Sequence, residues 1–350
     1  MTDAKSTPPG ALMAAEIAEQ PEALQRLLDH QLAGIRTVAS RIQQFDPRFV
    51  MLAARGTSDH AALYAKYLIE ITLGLPCGLA SPSTMTTYQA RPMLRDVLWI
   101  TVSQSGGSPD LIESTQAAAE CGALTVAVTN APDSALAQAA TLPVDIAAGL
   151  EQAVAATKSY TNQLVALYLL IDALGDGDAS AAQPIPHLAE DLLGRSQAAE
   201  QAARYRFIDK LVATGRGYSY ASARETALKL METSYLSANA FSGADLLHGP
   251  LAMVDQDRPV IAFVPPGAGG SALEPVLQQL NTRGADVLVV GQDLPGLPPM
   301  QRIPLPAEVT GPLTPVLEIM PMQQLAHAMA VARGYDPDAP RGLQKVTATR

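Results

Sequence analysis

The sequence is poor in cysteine, in large aromatic side chains and in charge. Its 350 residues include 2 cysteines, 1 tryptophan and 5 phenylalanines, and charged residues make up 17%. Cys77 and Cys121 lie outside any CxxC or Cys/His spacing, so neither a disulfide framework nor a zinc site is indicated. We expect two reduced cysteines and no bound metal.

Two further absences limit the location and the partners. No uninterrupted apolar run approaches the roughly 18–20 residues of a membrane helix, and residues 1–10 contain no apolar segment typical of a signal peptide. The net charge of −10 opposes binding to nucleic acid or to an anionic membrane surface. We therefore expect a cytoplasmic protein with a small-molecule ligand, since local N–H donors bind a phosphate without a basic surface.

What is present is a regular alternation of apolar runs and helical patterns. The length of 350 residues favours two domains. Residues 1–10 are expected to be disordered, and residues 11–45 carry helical spacing interrupted at 19–21. The strand-like runs of the first half lie at 49–54, 97–102 and 124–129. The helical segments between and after them lie at 59–73, from 109 onward and at 157–173. This order predicts an α/β fold with a mostly parallel sheet.

The same order returns in the second half of the chain. An Arg-Gly-Tyr-Ser turn at 216–219, behind a strand-like run at 211–214, repeats the Arg-Gly-Thr-Ser turn at 55–58. Further strand-like runs at 260–264 and 287–290 repeat those of the first half. We predict two tandem doubly wound parallel-sheet domains of flavodoxin-like type. The predicted segments are a disordered or helical N-terminus 1–30, a first domain 31–175, a second domain 200–340 and a C-terminal tail 341–350.

A loop of small polar residues follows the second strand of the first half. Residues 103–108 read Ser-Gln-Ser-Gly-Gly-Ser and precede a helical segment that begins at Pro109. Backbone N–H groups and the helix dipole converge at such a turn, which favours an anion. An ordinary turn in which Ser108 caps the helix fits the same residues. The matching loop at 265–271 has lost most of its hydroxyls, which favours a phosphate site in the first half only.

The second half carries the more reactive side chains. Glu225, Lys229 and Glu232 follow one another at i, i+4 and i+7, so they share one helix face. Such a face is commonly a solvated set of salt bridges, although apolar neighbours crowd this helix. His248 stands before a Gly-Pro turn, and a carboxylate with an imidazole near a phosphate loop suits proton transfer beside a sugar carbonyl. His60 is explained equally by packing, capping or catalysis.

Motifs along most of the chain resemble those of the sugar isomerase (SIS) family. In the family's order, they lie at 16–21, 55–58, 103–106, 154–158, 227–232, 247–251 and 340–347. The resemblance is to the tandem isomerase half of glucosamine-6-phosphate synthases, and most of all to stand-alone glucosamine-6-phosphate deaminases of isomerase type. It implies a sugar-phosphate ligand and a homodimer with shared active sites.

The resemblance also implies the roles of individual residues. Those implied to hold the phosphate or line its pocket are Thr57, Ser58, Ser103, Gln104, Ser105, Ser108, Val154 and Ala156. Glu232 is implied as the base that moves a proton between C1 and C2, with Lys229 beside it. His248 is implied to open the sugar ring from the other subunit, and Lys345 to lie near the substrate carbonyl.

This chain departs from the family pattern at three positions. Ala156 replaces a serine, Met231 replaces a lysine, and Gly107 replaces the acid that usually follows Ser-Gln-Ser-Gly. Because the resemblance covers the isomerase half alone, we expect no glutaminase domain, the domain that supplies ammonia for synthesis in that family.

We therefore expect conversion of glucosamine 6-phosphate to fructose 6-phosphate and ammonia. No cofactor is expected, because the substrate's own carbonyl or imine acidifies the transferred proton. Two alternatives remain: an SIS enzyme for another amino-sugar or fructosamine phosphate, and a non-catalytic phosphosugar-binding sensor.

Overall fold

The computed structural model describes residues 8–298, 300–309 and 311–345. Disorder was expected for residues 1–10, of which 1–7 lie outside the described residues. The last part of the C-terminal tail, 346–350, also lies outside them.

Helices and β-strands alternate along most of the described chain. The α-helices are α1 (Ala11–Ala18), α2 (Gln20–Phe45), α3 (Thr57–Leu68), α4 (Pro82–Thr86), α5 (Pro109–Glu120), α6 (Ala135–Ala139), α7 (Lys158–Leu174), α8 (Ile185–Arg195), α9 (Ala202–Tyr205), α10 (Ser219–Ser234), α11 (Gly243–Leu247), α12 (Ala268–Ser271), α13 (Glu274–Thr282) and α14 (Thr314–Ala332). One π-helical turn, Ile69–Leu73, extends α3, and short 3₁₀ turns lie at Ser180–Ala182, Ala198–Gln201, Pro250–Met253 and Gly311–Leu313.

The strands form two five-stranded parallel sheets. They are β1 (Phe49–Ala53), β2 (Cys77–Leu79), β3 (Val97–Ser103), β4 (Leu124–Thr129), β5 (Leu142–Asp145), β6 (Lys210–Gly215), β7 (Ser237–Ser242), β8 (Val260–Val264), β9 (Val287–Gly291) and β10 (Gln301–Ile303). The first sheet has the order β2-β1-β3-β4-β5, and the second, read from its β7 edge, has the order β7-β6-β8-β9-β10. The two orders are equivalent and match the doubly wound arrangement of flavodoxin-like folds. The predicted α/β fold of two tandem parallel sheets is confirmed.

The strands that the apolar runs predicted are the central ones of each sheet: β1, β3, β4, β6, β8 and β9. Every residue of β3, β8 and β9 is buried, as expected for strands covered on both faces by helices. The strands that the sequence reasoning missed are β2, β5, β7 and β10, all at sheet edges. They are short or carry polar residues, so no continuous apolar run marks them.

The N-terminal helices are continuous with the body of the protein. The predicted interruption at 19–21 is confirmed, because α1 ends at Ala18 and α2 begins at Gln20. Helix α2 runs through residues 30 and 31, the predicted boundary between the N-terminal segment and the first domain. A shared apolar core reaches from Met13 to Met329 and contains side chains from both sheets. In this core α10 packs against α3 and α14, which joins the two halves.

Across the described residues, no helix is both long and apolar enough to cross a membrane.

Candidate functional site

The loop that follows β3 lies at the point where the strand order of the first parallel sheet reverses, between β1 and β3. β1 and β3 are neighbours whose following helices cover opposite faces, and ligands of such sheets bind beyond the carboxyl ends at this point. Ser108 occupies the N-cap position of α5, but its side chain makes no capping hydrogen bond. The alternative of a plain Ser108 cap is therefore not supported by the geometry.

Two glycine N–H groups shape the serine loop. Ser103 Oγ accepts from the Gly106 N–H at 3.2 Å, and Ser105 Oγ accepts from the Gly107 N–H at 3.3 Å. Gly106 has a φ of 60°, and a Cβ there would lie 2.1 Å from Ser134 Oγ. Only glycine fits this position, so the tight turn that brings the hydroxyls together depends on it.

The turn after β1 forms a second wall of the site. Ser58 is buried and its Oγ accepts from Gln163 Nε2 at 3.0 Å. Thr57 Oγ1 donates to Glu225 Oε1 at 3.1 Å, so this turn contacts the second half of the chain. Arg55 pairs with Asp110 in the first turn of α5, with 2.8 Å between guanidinium nitrogen and carboxylate oxygen.

Helix α10 brings the three predicted charged residues to one face, and this face is mostly buried. Lys229 and Glu225 side chains are 1% and 0% exposed, while Glu232 retains 23%. Lys229 Nζ lies 2.6 Å from Glu232 Oε2 and 3.4 Å from Glu225 Oε1. The solvated-face alternative is therefore wrong, because α3 and α14 cover this helix. Burial alone would lower the pKa of Lys229, but the carboxylates of Glu232 and Glu225 raise it, which keeps the ammonium charged.

His60 joins this face from the first half of the chain. The ring is buried on α3, and its Nδ1 lies 2.7 Å from Glu225 Oε2. The contact spans 165 positions of sequence. Of the three alternatives for His60, burial of the ring and its contact with Glu225 disfavour capping and fit both packing and catalysis.

The C-terminal tail enters the site through Lys345. Its Nζ donates to Glu151 Oε2 at 2.8 Å and to the Ala153 carbonyl at 2.6 Å. Glu151 also accepts from the backbone N–H of Thr157 and from both the N–H and the hydroxyl of Ser159. Burial alone would raise the pKa of Glu151, but the Lys345 charge and these donors lower it below its usual range.

Helix α1 supports the loop that carries Glu151. Glu16 accepts from the Gln152 N–H at 2.5 Å and from the Ala153 N–H at 3.3 Å. Burial raises the pKa of Glu16, against the lowering effect of the Gln152 hydrogen bond. The motif at 16–21 thus contacts the loop before the motif at 154–158.

These elements enclose one cavity of about 330 Å³. The predicted site residues that line it are Thr57, Ser58, Ser103, Gln104, Ser105, Ser108, Val154, Ala156, Lys229, Glu232 and Lys345. His248 is not among them: it is exposed, at the C-terminal end of α11. The cavity volume falls within the range of small-molecule sites.

Sequence reasoning missed several members of the site. Arg55, Ser159 and Gln163 line the cavity, and Glu151 holds Lys345. Glu151 had a local signal, since it lies between Gly149 and the motif at 154–158. Within residues 8–298, 300–309 and 311–345, no group of three or more histidine, cysteine, aspartate or glutamate side chains is arranged to hold a metal ion.

Comparisons with known proteins agree with the two-sheet architecture. The SIS domain model matches residues 45–173 and 206–292. A glutamine–fructose-6-phosphate aminotransferase (isomerizing) from Pseudomonas aeruginosa is 33% identical over 95% of this chain. The chain spans 58% of that relative's length.

Two solved structures superpose on nearly the whole chain. A protein described as a candidate phosphosugar isomerase from Silicibacter pomeroyi has a TM-score of 0.86 and 35% identity, over 93% of this chain and 99% of that one. The C-terminal domain of a glucosamine-fructose-6-phosphate aminotransferase from Francisella tularensis has a TM-score of 0.80 and 26% identity, over 96% of this chain and 99% of that one.

Proposed function

The chain belongs to the SIS domain family, and we propose that it is a phosphosugar isomerase that converts glucosamine 6-phosphate to fructose 6-phosphate and ammonia. The observation that carries this proposal is the meeting of the serine loop and Glu232 in one cavity of about 330 Å³. A phosphate site and a partly exposed carboxylate on different walls suit a substrate with a phosphate at one end and an acidic C–H at the other.

The serine loop binds the phosphate in this proposal. Ser103, Gln104, Ser105 and Ser108 line the cavity beside the N-terminus of α5, where the helix dipole favours negative charge. Arg55 lies at the same wall and adds a cation whose guanidinium is held by Asp110. The phosphate is therefore the anchor that orients the sugar chain.

Glu232 performs the proton transfer. Glu232 lines the cavity, whereas Glu225 on the same helix does not, and Glu232 removes the C2 proton of the open-chain amino sugar. The electron pair moves toward the C1 carbonyl and gives an enolamine, and protonation at C1 then gives the C2 imine. Water adds to the imine and ammonia leaves, so the ketose phosphate forms without an external oxidant or reductant.

The two lysines stabilise charge during this transfer. Lys345, held by Glu151, lies near the substrate carbonyl and neutralises the developing oxyanion. Lys229 lies 2.6 Å from Glu232 and stabilises its carboxylate form before proton abstraction. Deamination needs substrate and water only, whereas the reverse reaction also needs ammonia.

We further propose that His248 opens the sugar ring from the partner of a homodimer. It is exposed and outside the cavity of its own chain. The division into domains 31–175 and 200–340 is part of the proposal, since each range contains one of the two sheets.

The test is release of ammonia from glucosamine 6-phosphate, measured with a coupled dehydrogenase, beside galactosamine 6-phosphate and a fructosamine phosphate. Wild type is expected to prefer glucosamine 6-phosphate, and Glu232→Gln to lower kcat by about 10²–10⁴-fold, the usual contribution of a general base. Glu113→Gln, on the exposed side of α5, is the matched carboxylate control and retains wild-type turnover.

Each outcome discriminates between the candidate functions. Turnover of galactosamine 6-phosphate or of the fructosamine phosphate, without turnover of glucosamine 6-phosphate, assigns the chain a different substrate within the SIS family. Tight binding of sugar phosphates by wild type without turnover identifies a sensor and refutes the enzyme. Equal activity of Glu232→Gln and wild type refutes Glu232 as the base.

A further inference from the structure

A chain of buried polar contacts leads from the first half of the protein to Glu232. We call His60, Glu225, Lys229 and Glu232 the buried relay. His60 Nδ1 lies 2.7 Å from Glu225 Oε2, Glu225 Oε1 lies 3.4 Å from Lys229 Nζ, and Lys229 Nζ lies 2.6 Å from Glu232 Oε2. Of these four residues, Lys229 and Glu232 line the cavity, whereas His60 and Glu225 lie behind them and do not contact a ligand there.

The hydrogen positions in this relay follow from the chemistry of the carboxylate. An ionised carboxylate only accepts hydrogen bonds, so His60 Nδ1 carries a hydrogen and donates a hydrogen bond to Glu225 Oε2. Glu225 Oε1 accepts a hydrogen bond from Thr57 Oγ1 and forms an ion pair with Lys229. Glu225 has no exposed side-chain area, so only protein donors satisfy its carboxylate oxygens.

Lys229 is shared between two carboxylates as long as Glu225 is charged. Its ammonium lies closer to Glu232 than to Glu225, by the distances given above. A cation shared in this way neutralises Glu232 only in part, and a carboxylate must keep some basicity to remove a carbon-bound proton.

We propose that His60 is a positioning residue for proton transfer, which acts through Glu225 and Lys229 to keep Glu232 basic. The inference rests on the proposed function of Glu232 as the base. Without the His60 donor, Glu225 Oε2 loses its partner, and a buried carboxylate that lacks donors takes up a proton. The full charge of Lys229 then acts on Glu232 and makes it a weaker base.

Other charged or titratable groups face the relay and stay unchanged in the test. Tyr160 on α7 interacts electrostatically with both Glu225 and Glu318, and Glu318 lies on α14. Across the cavity, Arg55 and Lys345 are each held by their own carboxylate partner. A change in pH dependence on substitution of His60 therefore reports on the relay itself.

The experiment compares four variants of the full chain in kcat, KM and the pH dependence of kcat. His60→Leu removes the donor, and His60→Asn keeps an amide N–H near the position of Nδ1. Glu225→Gln removes the charge directly and carries the test if His60→Leu does not fold. Tyr64→Phe is the matched control, because Tyr64 lies one turn further along α3 and its hydroxyl donates to the Pro312 carbonyl at 2.7 Å, outside the relay.

We expect His60→Leu and Glu225→Gln to lower kcat by about tenfold or more, with KM within about twofold, and to move the acid limb of kcat to lower pH by about one unit. His60→Asn restores most of kcat and the wild-type limb. Tyr64→Phe lowers the melting temperature and leaves both unchanged.

If His60→Leu and Glu225→Gln fold but keep the acid limb of an active wild type, this inference is overturned. The proposed function then stands. Equal loss in His60→Leu and His60→Asn also overturns it, because the donor is then irrelevant. Absence of turnover in the wild type refutes the proposed function, and this inference with it.

Discussion

Glu151→Gln tests how much the contact between the tail and the cavity stabilises the folded chain. Glu151 Oε1 accepts two backbone N–H groups, at 3.0 Å each, and Oε2 accepts Ser159 Oγ at 2.7 Å and Lys345 Nζ at 2.8 Å. Glutamine places its carbonyl oxygen on the two N–H groups and its NH₂ opposite Lys345. Two donors then face each other, so Lys345 leaves this position and keeps only the Ala153 carbonyl.

The magnitude follows from the burial of the two partners. Removing one partner of a fully buried ion pair costs about 3–5 kcal/mol, but the Lys345 side chain is 23% exposed and reaches water once released. The loss is then that of one charge-assisted hydrogen bond, about 1.5–3 kcal/mol. Glu70→Gln is the control, because Lys66 and Glu70 form an i,i+4 pair at 2.6 Å that is open to solvent. We expect it to cost no more than about 0.5 kcal/mol.

The stabilisation has a defined pH dependence. The pKa of Glu151 is lowered from its usual 4.5 in the folded chain, so the unfolded chain binds the proton first as pH falls. The difference between wild type and Glu151→Gln is therefore complete above about pH 4.5 and is lost as pH falls through the lower folded value. Urea unfolding at pH 7 and at steps toward pH 3 measures it. A difference below about 0.5 kcal/mol at pH 7, or one that persists unchanged in acid, would refute this reasoning.

Two other substitutions test the serine loop and the buried core. Gly106→Ala places a Cβ 2.1 Å from Ser134 Oγ at a φ of 60°, so we expect KM for the sugar phosphate to rise about tenfold or more in steady-state assays. Gly34→Ala, where a Cβ meets nothing within 4 Å, should leave KM unchanged and stabilise α2 by about 0.5–1 kcal/mol. Burial raises the pKa of Glu318 from 4.5 to about 7, against two serine hydroxyl donors. The folded chain thus binds the proton more tightly, and wild-type stability falls as pH rises from 4.5 through about 7. Melting curves of Glu318→Gln should lack this fall; an unchanged fall would contradict the assignment to Glu318.

The two halves of the chain have the same topology but contribute differently to the cavity. The serine loop belongs to the first sheet, whereas Lys229 and Glu232 belong to the helix after the first strand of the second. In the second half, the loop that matches the serine loop forms the short helix α12, Ala268–Ser271, and does not line the cavity. In the proposed mechanism, the first half therefore supplies the phosphate-binding turn, and the second half supplies the proton-transfer groups.

The sequence by itself determined the architecture and most of the cavity lining. Central strands such as β3 and β8 are buried on both faces, so their apolar runs are visible without any tertiary knowledge. The turns at 55–58 and 103–108 were equally visible, because small residues and glycine at strand ends are a local requirement of the turn. The edge strands β2 and β10, three residues each, carry no such signal.

Only the tertiary structure decided which charged groups are partners. Glu225 meets His60 across 165 positions of sequence, and Lys345 meets Glu151 across 194. No local pattern encodes these contacts, because each joins two segments that are far apart in sequence and meet only in the folded chain. The same packing separates the exposed His248 from the cavity of its own chain. The sequence thus indicates which residue types form the site. Their pairing and charge depend on the fold, because desolvation and distance determine the energy of each contact.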